Sequence, residues 1–334
     1  MDPLGIIDTL GQALGLSSGA ATGEESYVVD VLAKLEAEAQ VPPEDYKLAL
    51  VRGVRQNPTF DVARFEAIID DFVTKDGDVF VATYVKAGTT WTQQIIHQLL
   101  RQGQEGGFYG DSVPWLECMA SDFLTPREAP TWSMQSINDN PGPRYFKTHA
   151  TVAHLPRGRS PAKYKVIYVA RNPKDTVVSL FHHAKSKPEF GYTGDFAKFC
   201  QIFIASQAEN NSWFDHVLDW HKECLANPET HLFLKYEDMY QDPTKAVETI
   251  ATFLGIPATP EVVARVVQNS SIAEMRQKAS IGLNHLRQGG YGNWRTVFTV
   301  AMSEFFDDVY RHKMKGSGIK FNFGPDSRGV DLVM

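Results

Sequence analysis

The residues best placed to do chemistry in this sequence are two lysines, one histidine and a pair of threonines. In YVKAGTTW, residues 84–91, a lysine, a glycine and two threonines follow directly on the apolar run DVFVATY. A strand ending near Tyr84, a turn at Gly88 and a helix starting at Thr89 or Thr90 would expose backbone N–H groups at the positive end of a helix dipole. That arrangement is an anion site, to which Thr89 and Thr90 can add hydroxyl donors. The usual ATP loop places its lysine after the last glycine. Here the order is reversed, so Lys86 would stand beside the group being transferred and not under a triphosphate tail. Taken alone, the motif also fits a plain helix start with a lysine nearby.

A second group sits in RYFKTH, residues 144–149. Alternation along a short strand sends Lys147 and His149 to one face. A neutral imidazole there can take a proton from an attacking hydroxyl or amine. Lys147 and Lys86 can offset negative charge on the transferring and leaving oxygens. In YVARNPKDTVVS, residues 168–179, Arg171 falls at the carboxyl end of a strand, the edge at which open parallel sheets hold ligands. Ser179 lies two helical turns on and reaches the same side only if the helix starts at once. Lys174 and Asp175 read as surface charges beside an Asn172 cap. RQGGYGNWR, residues 287–295, is a glycine-rich basic loop able to wrap an anion.

These residues need a scaffold, and the rest of the chain predicts one. Apolar runs at Asp78–Tyr84, Arg144–His149, Lys165–Ala170 and His231–Tyr236 read as strands. Between them lie helical patterns: Thr90–Arg101, a helix with Pro173 in its first turn, and one long helical segment from about Asp195 to Leu225. A helix opened by Asp242-Pro243 is stopped by Gly255, and Thr259-Pro260 opens another. Alternating strands and helices predict an α/β fold: one mostly parallel sheet covered by helices on both faces. Earlier, Val28–Leu35 and Phe65–Phe72 have helical spacing. Residues 1–45 read as an N-terminal extension, partly disordered or helical, and residues 46–334 as the single main domain.

Composition sets the outer limits. The chain has 334 residues, 43% apolar, with a formal net charge of −7. A general affinity for nucleic acid is not indicated. Three cysteines, Cys118, Cys200 and Cys224, are far apart with no CxxC pair, which fits free thiols in a reducing compartment. The first Lys or Arg is Lys34, a poor start for a signal peptide, and no apolar run is long enough to span a bilayer. A cytoplasmic protein with no membrane partner is expected.

Taken together, KAGTTW, ARNPKDTVVS and RQGGYGNW followed by FTV resemble the signature blocks of the soluble sulfotransferases, with FKTH, SWFDHV, KYEDM and SSIAEM between them in the family's order. The resemblance covers roughly residues 60–323. It implies 3′-phosphoadenosine 5′-phosphosulfate (PAPS) as sulfuryl donor, its desulfated product PAP, and no metal. By that resemblance Lys86, Gly88, Thr89 and Thr90 hold the 5′-phosphosulfate and Trp91 packs on the adenine. Arg171, Ser179 and Arg287-Gln288-Gly289 take the 3′-phosphate, and Tyr236, Ser270 and Met275 complete the adenosine pocket. Catalysis falls on His149 as base, with Lys147 and Lys86. Val85 and Ala87 stand where the family usually has proline and serine, and Gln288 and Asn293 where it has lysine and aspartate.

For the acceptor, a small-molecule alcohol, phenol or amine is expected, with Trp115, Tyr145 and His183 as candidates for its pocket. RTVFTVAMSE, residues 295–304, resembles the family's short dimer segment and would make a weak homodimer. The rival readings are an ATP-dependent small-molecule kinase of P-loop type and a catalytically silent nucleotide-binding protein.

Overall fold

The computed structural model describes residues 24–38, 45–107, 109–122, 133–156, 162–278 and 289–324. Its centre is a four-stranded, all-parallel sheet made of β3 (Val79–Thr83), β4 (Tyr145–Thr148), β5 (Lys165–Ala170) and β6 (His231–Lys235), in the order β4-β3-β5-β6. A small antiparallel hairpin, β1 (Ala49–Val51) with β2 (Val54–Gln56), precedes it. All four predicted strands form. Ala82 is level with both Thr148 and Tyr168, and Ala170 with Lys235. The carboxyl ends of all four strands therefore open on one edge.

Side chains alternate across the pleat. Phe80, Phe146, Val166 and Tyr168 point to one face, where they join a large core. That core includes Val28, Val31, Leu32 and Leu35 of helix α1 (Glu24–Glu38). Val79, Val81, Ile167 and Val169 point to the other, against Ile95, Ile96 and Leu99 of the helix that follows β3. A sheet buried on both sides gives the near-continuous apolar strands seen in the sequence.

Helix ends are set by local chemistry. Helix α2 (Val62–Asp71) is capped by the Asp61 side chain. Helix α3 (Thr89–Leu100) follows β3, and α4 (Pro173–Ser186) starts at the proline, with Asn172 accepting from the Asp175 N–H. The segment expected as one helix from Asp195 to Leu225 is two: α5 (Phe196–Ile204) and α6 (Trp213–Ala226). Between them Ser206, Asn210 and Asn211 take positive φ (61°, 65° and 57°), a region that asparagine tolerates better than most residues. Their side chains offset the lost helical bonds: Asn211 Nδ2 donates to Gly53 O at 2.8 Å and Asn210 Nδ2 to His149 O at 2.8 Å. Apolar periodicity continues through the break, so the pattern alone could not show it.

After β6 come α7 (Tyr236–Gln241), α8 (Pro243–Leu254), α9 (Pro260–Asn269), α10 (Ile272–Lys278) and α11 (Val300–Lys313). Thr259 caps α9 through its side chain, and Gly255 ends α8 at φ 73°. Helix α1 lies against α5 and α11. No helix among the described residues is long and apolar enough to cross a membrane.

Candidate active site

One cavity of about 350 Å³ lies along the carboxyl edge of the sheet. Lys86, Gly88, Thr89, Thr90, Trp91, Trp115, Lys147, His149, Arg171, Ser179, His183, Tyr236, Ser270, Met275 and Gly289 all line it. Residues as far apart in the sequence as Lys86 and Gly289 thus meet because four strands end at one edge. Arg287 and Gln288 lie outside the described residues. Tyr145 is not in the lining. It opens β4 at the opposite end of the strand and packs with Val79, Val81 and Ile95, about 10 Å from the edge at the usual strand rise.

The loop after β3 is shaped for an anion. Lys86 and Gly88 both have left-handed backbone, φ 68° and 105°. At Gly88 a Cβ would fall 2.7 Å from the Tyr236 ring, so no other residue fits there unless the ring shifts. Gly88 offers no side chain to cap α3, and that leaves the first N–H groups of the helix available to a guest. The Thr89 hydroxyl is already bonded to Thr83 Oγ1 at 2.6 Å. Burial, then Lys147, pushes the Lys86 ammonium down to about 8, with Glu209 pulling the other way.

A second anion position is tied to the first by Arg171. Its guanidinium donates to Lys86 O (3.3 Å) and Gly290 O (3.0 Å) and lies over Tyr236, 4.7 Å from the ring centroid. Its buried Nε has no partner. The glycine-rich loop is held by Asp175, whose carboxylate accepts from Gly292 N at 2.6 Å and Trp294 N at 3.0 Å. Asp175 and Lys174 are therefore not surface charges: both are buried. Lys174 Nζ pairs with Asp307 at 2.7 Å and donates to Ser303 Oγ at 2.7 Å. Their partners lie more than a hundred residues along the chain, where local pattern cannot point.

His149 is held at both its ring and its backbone. Its Nδ1 is 2.9 Å from Thr83 O and 3.2 Å from Thr83 Oγ1. A carbonyl can only accept, so the proton sits on Nδ1 and Nε2 is left bare. The backbone is held as firmly. Glu117 accepts from His149 N (2.8 Å) and Thr148 Oγ1 (2.6 Å), and His149 O accepts from Asn210 and from His216 Nε2 at 3.2 Å. Burial, then Lys147, holds the imidazole well below its ordinary value, so it is neutral at pH 7. Lys147 stands 3.7 Å above the Trp115 ring, and the same ring meets His149 edge-on at 5.4 Å. Glu117 and Asn210 carried no motif, while Asp175 and His216 stood inside the blocks ARNPKDTVVS and SWFDHV without an assigned role; each works through backbone groups, which the sequence does not announce.

The adenine-side candidates also cluster. Trp91 and Tyr236 meet edge to face at 5.4 Å. Ser270 ends α9 and spends its hydroxyl proton on Val266 O at 2.6 Å, so toward a guest it can only accept. No group of His, Cys, Asp and Glu among the described residues is arranged to hold a metal ion. The cavity fits a donor with two separated anionic ends: the α3 N-terminus with Lys86 for one, Arg171 and Ser179 for the other.

Comparison with known proteins agrees with that chemistry. A sulfotransferase domain model matches residues 76–318. Mouse sulfotransferase 2B1 is 34% identical over 260 residues, 72% of each chain. The crystal structure of mouse sulfotransferase SULT7A1 complexed with PAP is similar at 27% identity and TM-score 0.68, covering 81% of this chain and 95% of that one. A retinol dehydratase bound to retinol and PAP shares the fold at 20% identity and TM-score 0.64, covering 78% of this chain and 88% of that one. Many transfers could use a bare helix N-terminus, two lysines and a proton-accepting imidazole; the matched domain selects among them, and this chain belongs to the sulfotransferase family as a PAPS-dependent enzyme.

Proposed function

We propose that His149 is the general base of this sulfotransferase, taking the proton of an acceptor hydroxyl or amine at Nε2. The observation that carries this is the Nδ1 bond to the Thr83 carbonyl, made by a neutral ring that lines the same cavity as Lys86 and Lys147. Bound PAPS supplies an activated sulfuryl group. Lys86 and Lys147 offset negative charge on its oxygens and on the departing phosphate. The α3 N-terminus, with Gly88, Thr89 and Thr90, orients the phosphosulfate. Arg171, Ser179 and Gly289 receive the 3′-phosphate, together with Arg287 and Gln288. Trp91, Tyr236, Ser270 and Met275 enclose the adenosine.

The acceptor is a small molecule entering beside Trp115 and His183. The alternatives weighed from the sequence, an ATP-dependent kinase and a silent nucleotide-binding protein, have no support in the comparisons. We place the enzyme in the cytoplasm, with residues 46–334 as its domain. It dimerises weakly through residues 295–304, where Val300 is 75% exposed at the start of α11.

Calorimetry with PAP and with ATP tests the donor site. PAP is expected to bind at least tenfold more tightly, because only it presents two separated anions; ATP binding as tight or tighter would overturn the assignment of the two anion positions.

A further inference from the structure

One carboxyl group in the cavity has no task in the mechanism above. Glu209 sits in the break between α5 and α6, 3% exposed, and lines the cavity that holds His149, Lys147 and Trp115. Its Oε2 is buried and has no hydrogen-bond partner. The next residue, Asn210, is bonded to the His149 carbonyl, so Glu209 lies on the His149 side of the cavity. Lys86 and Lys147 both act on it electrostatically, favouring its charged form. Burial pushes the carboxyl up to about 7.

An unpartnered buried acceptor is costly to leave bare. If Lys86 and Lys147 serve the donor's oxygens, as proposed above, the partner for Glu209 Oε2 has to come from the acceptor. A hydrocarbon acceptor would bury the carboxylate unsatisfied. An N–H donor would satisfy it, and an ammonium would add charge. Glu189, the other carboxylate lining the cavity, adds to the same preference.

Resting on the sulfotransferase reading of this site, we propose that Glu209 is a specificity-determining residue that selects acceptors carrying an amine in addition to the sulfated hydroxyl. Sites that leave a buried polar group unpaired discriminate strongly against analogues lacking the matching donor.

The test uses tyramine and 4-ethylphenol, which differ chiefly in the ammonium, binding by calorimetry to full-length protein saturated with PAP. Wild type is expected to favour tyramine at least tenfold. Glu209→Gln should cut that preference severalfold, and Glu209→Ala should abolish it, with PAP affinity kept within twofold in all three proteins. The isosteric glutamine variant guards against a folding defect in the alanine variant. An unchanged tyramine preference in both variants, or no preference in wild type, overturns the proposal. A tenfold loss of PAP affinity in Glu209→Gln would also overturn it, by moving Glu209 to the nucleotide site. Failure of wild type to bind PAP at all would instead sink the underlying site reading, and this proposal with it.

Discussion

The two halves of the cavity are built on different terms. On the nucleotide side the groups that shape the walls are tied to one another. Arg171 bridges the Lys86 and Gly290 carbonyls, and Asp175 holds Gly292 and Trp294 by their N–H groups. On the acceptor side no such bracing of the walls is seen: Trp115 Nε1 and Glu209 Oε2 are buried without partners, whereas the one bare nitrogen of Arg171, Nε, belongs to a guanidinium held by two other bonds. A guest that never changes can be met by walls that brace one another, whereas a site that chooses its guest leaves side chains such as Glu209 to be satisfied by it. His149 stands between the halves. Its backbone is fixed like the first, and its Nε2 is free like the second.

Substitutions on either side of His149 separate the two halves. The largest effect is expected from His149→Ala: sulfuryl transfer should fall about 10²–10⁴-fold, the usual contribution of a general base, with PAP affinity unchanged by calorimetry. Loss of both together would erase the boundary between the halves. Asp175→Asn comes next. It keeps the shape but weakens two charge-assisted bonds to the glycine-rich loop, and PAP should bind about tenfold more weakly, with the acceptor KM little altered. An acceptor KM that rose as much as the PAP dissociation constant would mean that the loop serves both halves. The smallest effect concerns the surface beyond the cavity. Val300→Glu should shift a concentration-dependent dimer to monomer in sedimentation, because a small interface tolerates little added charge. Wild type that stays monomeric at high concentration would remove the dimer.

Much of the nucleotide half was legible because its parts are local. Asn172-Pro173, Asp242-Pro243 and Thr259-Pro260 mark helix starts by capping and fixed φ, and each starts a helix in the structure. The strands were readable as apolar runs, since a doubly covered sheet needs nothing else. Lys86 was read from the strand, turn and helix order of its loop, His149 from alternation with Lys147 along a short strand, and Arg171 from its place at a strand's carboxyl end. What escaped was non-local. Lys174 and Asp175 looked like exposed first-turn charges until α11 and the glycine loop covered them. The break at Ser206–Asn211 depends on Gly53, Arg55 and His149, none of them near in sequence. Tyr145 was assigned to the cavity from its type alone; its register at the far end of β4 removes it. Glu209 gave no signal, because a glutamate in a polar stretch is ordinarily a solvated one.

The neutral His149 imidazole with its proton on Nδ1 can be observed without turnover in ¹⁵N-labelled, nucleotide-free protein, by long-range ¹H–¹⁵N correlation with His149→Ala to assign the ring. Because burial and Lys147 lower the His149 pKa, the bare Nε2 persists as pH falls through 6.5 and is lost only well below it. At pH 6.5, one protonated nitrogen at Nδ1 and an unprotonated Nε2 are expected. An imidazolium at that pH, or a proton on Nε2 with Nδ1 bare, would contradict that expectation.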